Sequence, residues 1–247
     1  MSKNTTFISF FTLIVYLCLV SCNFSANKNE SKLVFNEQKK DSLQKPNIIY
    51  ILADDLGYGD LSSYGQKMFE TPNIDKLAEN GMLFTQHYSG STVCAPSRSA
   101  LLTGMHTGHT TIRGNKEVYP EGQYPLPDQA FTLAEQMKKA GYRTGAFGKW
   151  GLGYPGSEGD PLNQGFDTFF GYNCQRQGHH YYPYHLWLNK DSIVLKENAG
   201  LKKGIYAPDL IHEKTLEFIE FNKNHPFFLY VPSIICLLYT SPSPRDA

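Results

Sequence analysis

The stretch PNIIYILADD, from Pro46 to Asp55, decides the fold class of this chain. Its apolar, β-branched run is bounded by a proline and by two aspartates, which is typical of a buried parallel strand. The carboxylates of Asp54 and Asp55 would repel each other at the strand end, and a hard divalent cation would neutralise them. Because the following residues are rich in turn formers, a simple turn is the alternative interpretation.

Helix and strand patterns alternate after this run. Strands are predicted at GMLFTQHY, YRTGAFGKW and PFFLYVP. Helices are predicted at TPNIDKLAENG, from Pro96 to about Leu102, at TLAEQMKKAG with a Thr132–Glu135 capping box, and from Pro208 onward. This alternation predicts an α/β fold in which a mostly parallel sheet lies between helix layers. In such sheets, ligands bind beyond the carboxyl ends of the strands.

The overall charge of the chain is balanced. Its 247 residues include 23 Lys and Arg and 23 Asp and Glu, so the formal net charge is zero. This balance does not favour nucleic acid as a partner, and any anionic ligand must be bound by a local site.

The N-terminus has the pattern of an export signal. Lys3 precedes an apolar run that ends in LVSC, which resembles the bacterial lipobox, and Cys22 is then the lipidation site. Residues 1–22 are therefore predicted to be a lipoprotein signal peptide, and the polar residues 23–45 a flexible tether. The mature protein is expected to be extracytoplasmic, held by its lipid at the bacterial periplasm or outer membrane. An ordinary cleavable signal is the alternative.

Cys94 lies in the stretch STVCAPSRSALLTG. With Pro96 in the first turn of the following helix, unpaired backbone N–H groups point toward the cysteine and favour an anion there. Arg98 adds a fork of donors that suits sulfate or phosphate. A buried structural cysteine is the alternative, but the small, polar surroundings and the spacing to proline and arginine argue against it.

Lys149 follows a predicted strand in the motif GKWGLG. The flanking glycines allow a backbone to approach a ligand closely, and the lysine is a compact cation for an anionic oxygen. Its place at a strand end, like those of the aspartate pair and Cys94, favours a site residue over an exposed surface lysine. His179 and His180, in the aromatic stretch GHHYYPYHLW, are further candidates for substrate contact, with solvent-facing histidines as the alternative.

Four motifs together resemble the formylglycine-dependent, arylsulfatase-like sulfatases of the alkaline phosphatase superfamily. CAPSR matches the C-x-P-S-R signature of that family, and GKWGLG matches its second signature region. NIIYILADDLGYGDLSSYG matches its N-terminal metal strand, and TPNIDKLAENGMLF matches its first helix. The resemblance covers residues 46–232, which are identified as the N-terminal part of a sulfatase catalytic domain with an alkaline phosphatase-like fold.

The resemblance implies a mechanism and its cofactors. A maturation enzyme would oxidise Cys94 to formylglycine, whose hydrate attacks the sulfur of a sulfated small molecule or glycan and then expels sulfate through its second hydroxyl. Asp54 and Asp55 would bind calcium, which also contacts the oxygen of residue 94. Arg98 would hold the nucleophile, and Lys149 would contact the nucleophile or a sulfate oxygen.

The chain departs from the family pattern at two places. Many relatives have a histidine where this chain has Gly151. After PFFLYVP, the expected histidine, Asp–Asn pair, lysine and smaller C-terminal subdomain are not found in the sequence. Residues 233–247 instead resemble translated read-through, so the chain is expected to be truncated at its C-terminus and, as a fragment, inactive on its own.

Two other functions are compatible with parts of this pattern. A phosphomonoesterase or phosphonate hydrolase of the same superfamily would bind an anion of similar shape. A non-catalytic, glycan-binding lipoprotein would explain Gly151 but would have no need of an intact CAPSR motif.

Overall fold

A computed structural model describes residues 45–236 of the chain. The predicted signal peptide with Cys22, the tether up to residue 44 and residues 237–247 lie outside the described part. Among the described residues, no helix has the length and apolarity needed to cross a membrane.

Within residues 45–236, six strands form one mixed sheet in the order β1-β6-β2-β3-β4-β5. Their bounds are Ile48–Ala53 (β1), Arg143–Lys149 (β2), Thr168–Tyr172 (β3), His185–Leu188 (β4), Asp191–Val194 (β5) and Phe227–Ser233 (β6). β1, β6, β2 and β3 are parallel to one another, whereas β4 pairs antiparallel with β3 and β5 antiparallel with β4 at the far edge. The prediction of a mostly parallel sheet is confirmed.

Residues 45–236 contain four α-helices: Pro72–Asn80 (α1), Cys94–Thr103 (α2), Leu133–Lys139 (α3) and Ala207–Asn222 (α4). The predicted capping box of α3 is present, since Thr132 Oγ1 accepts from the backbone N–H of Glu135 at 3.2 Å and Glu135 Oε2 accepts from that of Thr132 at 2.7 Å. Alternate residues of β6 point to opposite faces of the sheet and enter two separate core clusters. Phe228 and Tyr230 belong to the first cluster, and Phe227 and Leu229 belong to the second. α3 contributes Ala134 to the first cluster and α4 contributes Ile211 to the second, so helices cover both faces of the sheet.

The predicted strand GMLFTQHY does not form. Met82 and Phe84 are 76% and 58% exposed, and the segment pairs with no strand among residues 45–236. The predicted strand β1 forms and is parallel to its neighbour, but the prediction that it is buried is wrong. β1 is an edge strand paired with β6, and Ile49 and Ile51 are 49% and 66% exposed. Apolar content alone did not distinguish a central strand from an edge strand or an exposed loop.

The sequence analysis did not predict β3, β4 or β5. β4 and β5 form a hairpin whose two-residue turn is Asn189–Lys190, and Asn189 has a φ of 56°, which asparagine tolerates. At the other end of the described chain, β6 continues to Ser233 and Ile234 is buried in the core, two residues beyond the predicted boundary at residue 232.

Candidate active site

Three chain segments meet at one edge of the parallel sheet. Asp54 follows β1, Lys149 ends β2, and Cys94 is the first residue of α2. Lys149 Nζ lies 2.7 Å from Asp54 Oδ2 and 3.4 Å from Cys94 Sγ, and Cys94 Sγ lies 3.8 Å from Asp54 Oδ1. The sequence placed these residues at strand and helix ends, and the fold brings them together because the carboxyl ends of β1 and β2 lie at the same edge of the sheet.

Asp54 is bound by two buried cations. Arg98 Nη2 lies 3.1 Å from Asp54 Oδ2, and the exposed fractions of Arg98 and Lys149 are 1% and 0%. Burial raises the pKa of Asp54, but the positive charges of Arg98 and Lys149 outweigh it, so the pKa lies below its usual value. The two cations balance the carboxylates of Asp54 and Asp55 at this cavity, and Lys149 Nζ is the positive group that contacts the sulfur of Cys94.

Arg98 contacts Asp54 and the sheet rather than the thiol of Cys94. Besides Asp54, it donates through Nη1 to the backbone carbonyl of Lys149, and its Nε is buried without a hydrogen-bond partner among residues 45–236. The phenol of Tyr230 is buried near this guanidinium, and burial raises its pKa to about 12. Arg98 thus fixes Asp54 relative to the end of β2 and keeps one donor unused.

The first turn of α2 lies at the edge of a cavity of about 180 Å³. Cys94 lines the cavity with Asp54, Asp55 and Arg98. The backbone N–H of Ala95 donates to Asn115 Oδ1 at 2.9 Å, so one end of that turn is fixed by a residue that sequence reasoning missed. Asn115 lies 20 residues from Ala95 in the chain and carries no motif that would have revealed it.

Asp55 differs from its neighbour. Its side chain is exposed, and its φ of 62° is in the left-handed region. It lines the cavity with Asp54 and Cys94, but residues 45–236 contain no group of three or more His, Cys, Asp or Glu side chains arranged to hold a metal ion. The described residues therefore offer two carboxylates to a cation at this cavity.

The two candidate histidines lie in different surroundings. His179 ends a short 3-10 turn, and its ring interacts electrostatically with Lys149 and Asp54. Partial burial and the charge of Lys149 lower the pKa of His179, against the smaller opposing effects of Asp54 and Asp55. His180 instead lines a separate, larger cavity.

The sequence suggested that the glycines around Lys149 let the backbone approach a ligand. In the structure, two of them face the protein's own atoms instead. A Cβ on Gly148 would lie 2.2 Å from the carbonyl oxygen of Pro232 in β6. A Cβ on Gly151 would lie 1.6 Å from Gln175 Nε2. The glycines allow close packing of the protein's own chain, and the side chain of Gln175 fills the space beside Gly151.

We expect Gly151→Ala to lower the free energy of unfolding by about 2–3 kcal/mol, since it combines backbone strain with overpacking of a buried site. The new Cβ would be added to a backbone with a φ of 76°. Gln175 is 4% exposed, so its side chain has little room to move away from that Cβ. Urea unfolding of the whole protein measures the loss.

Gly156→Ala is the matched control for this change. Gly156 has a φ of 83°, but a Cβ there would meet no atom within 4 Å. The control should lose only about 1 kcal/mol from backbone strain. Equal losses in the two variants would contradict the assigned role of Gln175, and Gly151→Ala with Gln175→Ala should recover part of the difference.

The fold and the site define a class of protein: an α/β domain with a cysteine held between a carboxylate and a lysine at the carboxyl edge of its parallel strands. A family model described as Sulfatase matches residues 46–234. The chain belongs to the sulfatase family.

Similar proteins agree with this assignment. The chain is 39% identical over 220 residues to an arylsulfatase of Hemicentrotus pulcherrimus, covering 81% of this chain and 39% of that protein. It is 44% identical over 208 residues to the N-acetylgalactosamine-6-sulfatase of Canis lupus familiaris, covering 76% of this chain and 39% of the relative. The chain thus spans about two fifths of the length of these relatives.

Solved structures share the fold. A structure from work on glycosaminoglycan metabolism by Bacteroides thetaiotaomicron matches with a TM-score of 0.68 at 29% identity, over 82% of this chain and 53% of the other. Ps i-CgsB, solved in complex with k-i-k-neocarrahexaose, matches with a TM-score of 0.69 at 30% identity, over 82% of this chain and 48% of the other. The described residues therefore form part of an alkaline phosphatase-like sulfatase fold.

Proposed function

We propose that the whole protein hydrolyses sulfate esters of a small molecule or glycan, with formylglycine derived from Cys94 as the nucleophile and calcium as the metal. The observation that carries the proposal is the position of Cys94 Sγ, within 3.4 Å of Lys149 Nζ and 3.8 Å of Asp54 Oδ1, at a cavity that Arg98 also lines. Membership of the sulfatase family supports the same chemistry.

The residues at the cavity fit a hard cation in part. Asp54 Oδ2 is bound by Lys149 and Arg98, but Oδ1 has only the weakly donating thiol of Cys94 near it within residues 45–236. Asp55 adds an exposed carboxylate on the same cavity. Calcium takes six to eight oxygens, so the proposed site needs ligands beyond these two residues.

When bound, the metal would supply Lewis acidity toward a sulfate oxygen. The formylglycine hydrate would supply two hydroxyls, one to form the bond to sulfur and one to lose its proton as sulfate leaves. Lys149 would stabilise negative charge on the oxygen at residue 94, because its Nζ already faces that position. Arg98 would keep Asp54 ionised and oriented, since it is buried against that carboxylate.

The remaining partners follow from the same proposal. A formylglycine-generating maturation enzyme would act on Cys94. A sulfated sugar is supported as substrate by a similar structure, 28% identical to this chain, that was solved in complex with its substrate D-glucosamine-2-N,6-O-disulfate. We further propose export and attachment to the membrane through a lipid on Cys22, which would place the enzyme in the bacterial periplasm or at the outer membrane. Nucleic acid is not proposed as a partner.

A sulfate preference tests the proposed reaction. Arg98 and Lys149 would attract sulfate and phosphate alike, so the two esters must be distinguished in the transition state rather than by binding of the anion. For a sulfatase, we expect kcat/KM for 4-nitrophenyl sulfate to exceed that for 4-nitrophenyl phosphate by at least about 100-fold in the whole, matured protein. A higher kcat/KM for the phosphate ester would favour a phosphomonoesterase instead.

Peptide mass analysis separates the enzyme from a non-catalytic glycan-binding protein. Conversion of the Cys94 thiol to an aldehyde lowers the mass of its peptide by about 18 Da. An unmodified thiol in a host that has the maturation enzyme would favour the binding protein.

A further inference from the structure

A second cavity lies beside the candidate active site. Its volume is about 670 Å³, within the range of about 300–1,000 Å³ that is usual for small-molecule pockets. Its lining includes Glu121, Arg176, His180, Tyr182 and Tyr184. The cavity is not lined by Cys94, Asp54, Arg98 or Lys149.

A single 3-10 turn, Gln177–His179, separates the two sites. On one side, a Cβ on Gly178 would lie 2.9 Å from Cδ of Lys149, so the turn lies against the aliphatic part of the lysine. On the other side, Gln177 and His180 line the cavity. Lys149 Nζ in turn lies 3.4 Å from Cys94 Sγ, so the turn lies between the cavity and the lysine that contacts the cysteine.

The sheet fixes this arrangement. Tyr172 pairs with Lys149 in the register of β2 and β3, and its hydroxyl donates to the backbone carbonyl of His180 at 2.9 Å. The opposite wall of the cavity is held by Asn198, which is 3% exposed and donates to the carbonyls of Pro183 at 2.8 Å and Ile205 at 2.9 Å. The cavity is therefore largely formed before a ligand binds.

The lining has the chemistry of a carbohydrate site. Tyr184 is 54% exposed and, with Tyr182, offers aromatic surface for the apolar face of a sugar ring. Glu121 accepts from His185 Nε2 at 2.8 Å and Trp187 Nε1 at 2.7 Å, so its carboxylate is held in place as an acceptor for hydroxyls.

The same lining offers positive charge to an anionic substituent. The side chain of Arg176 is 60% exposed, and its ion pair with Glu117 is long, at 3.7 Å. Its Nη2 donates to the backbone carbonyl of Pro120 at 3.1 Å, which leaves Nη1 to donate to a sulfate or carboxylate group. His180, on the same wall, adds a ring that can donate a hydrogen bond to such a group.

We propose that this cavity binds a second sugar unit of a sulfated glycan, next to the unit whose sulfate ester is cleaved at residue 94. The inference rests on the proposed sulfatase function and narrows its substrate to an oligosaccharide or polysaccharide. Tyr182 and Tyr184 stack on the second ring, Glu121 accepts from its hydroxyls, and Arg176 binds its anionic group.

Binding is tested in the whole protein with Cys94→Ala, so that no substrate is consumed. The probes are tetrasaccharides of chondroitin sulfate and of κ-carrageenan, each compared with its sulfated monosaccharide. Isothermal titration calorimetry measures each affinity. We expect one tetrasaccharide to bind at least tenfold more tightly than its monosaccharide.

Substitutions then locate the binding. Tyr184→Ala and Arg176→Ala should each weaken tetrasaccharide binding about tenfold, and should lower the ratio of kcat/KM for tetrasaccharide to kcat/KM for 4-nitrophenyl sulfate by a similar factor in the enzyme with intact Cys94. Phe221→Ala is the control, because Phe221 is 81% exposed on α4 and lines neither cavity; it should change nothing.

The outcomes separate this inference from the proposed function. If the matured protein cleaves 4-nitrophenyl sulfate but neither tetrasaccharide gains affinity over its monosaccharide, the second-sugar site is overturned and the sulfatase function stands. The same holds if Tyr184→Ala and Arg176→Ala bind the tetrasaccharide as tightly as Phe221→Ala does. If tetrasaccharides bind as expected but no sulfate ester is cleaved, the sulfatase function is overturned.

Discussion

Cys94→Ala is expected to abolish sulfate release by the whole, matured protein, lowering kcat for 4-nitrophenyl sulfate by at least about 10⁴-fold, the scale seen when a covalent nucleophile is removed. The reason is that the proposed reaction forms a bond between sulfur and an oxygen at residue 94. The folded structure should survive, because Cys94 is only partly buried and its thiol makes long contacts to Asp54 and Lys149. Initial rates at saturating substrate measure the effect.

Cys94→Ser is the matched variant. A serine hydroxyl can take the sulfuryl group but has no second hydroxyl for its release. We expect about one equivalent of 4-nitrophenol and then no further product, with a protein mass increased by about 80 Da for the added SO₃ group. Continued turnover by either Cys94→Ala or Cys94→Ser would contradict the proposed nucleophile.

Asp54→Asn is expected to lower the free energy of unfolding by about 3–5 kcal/mol, the usual cost of breaking a buried ion pair by removing one partner. The neutral amide would leave Arg98 and Lys149, which are 1% and 0% exposed, without a counter-charge. Urea unfolding measures the loss, and sulfate release should fall in the same variant because Lys149 would lose its position.

Asp55→Asn separates stability from activity. Asp55 is exposed, and asparagine tolerates the left-handed backbone of this residue, so the free energy of unfolding should change by about 0.5 kcal/mol or less. If both aspartates bind the proposed calcium, both variants should lose sulfatase activity. A loss of stability in Asp55→Asn equal to that in Asp54→Asn would contradict the asymmetry that the structure shows.

The free energy of unfolding at acidic pH gives a further test of the role of Asp54. Its pKa is lowered in the folded state, so its contribution to stability is complete above its ordinary pKa of 3.8 and is lost as pH falls through the folded value. Below about pH 4, the wild-type protein should therefore lose stability more steeply than Asp54→Asn. Parallel profiles would show that Asp54 titrates as in the unfolded chain.

The sequence predicted the main residues of the site because each one lies at the end of a regular element. Asp54 follows a strand, Lys149 ends one, and Cys94 begins a helix, so the parallel topology alone brings them to one edge. The ion pair of Asp54 with Arg98 could not be predicted from the sequence, because it depends on how α2 packs beside β1. The family resemblance had implied that Arg98 holds the nucleophile.

Other features escaped the sequence for identifiable reasons. β3 is short and glycine-containing, and the turn Asn189–Lys190 lacks the glycine that usually marks a hairpin. The contact of Gly151 with Gln175 depends on tertiary packing and carries no local signal. The wrong prediction at GMLFTQHY has a different cause. Its apolar run was interpreted as a strand, but within residues 45–236 the structure places no strand beside it with which it could pair.

The ion cluster around Asp54 also bears on how the chain folds. Its bonds to Arg98 and Lys149 join residues that are 44 and 95 positions apart, and no short segment can form it alone. Closing such long loops is entropically unfavourable until the surrounding core has condensed, so the cluster should assemble after the folding transition state. A weakened cluster would then shorten the lifetime of the native protein by speeding its unfolding, while the rate of refolding stays nearly the same.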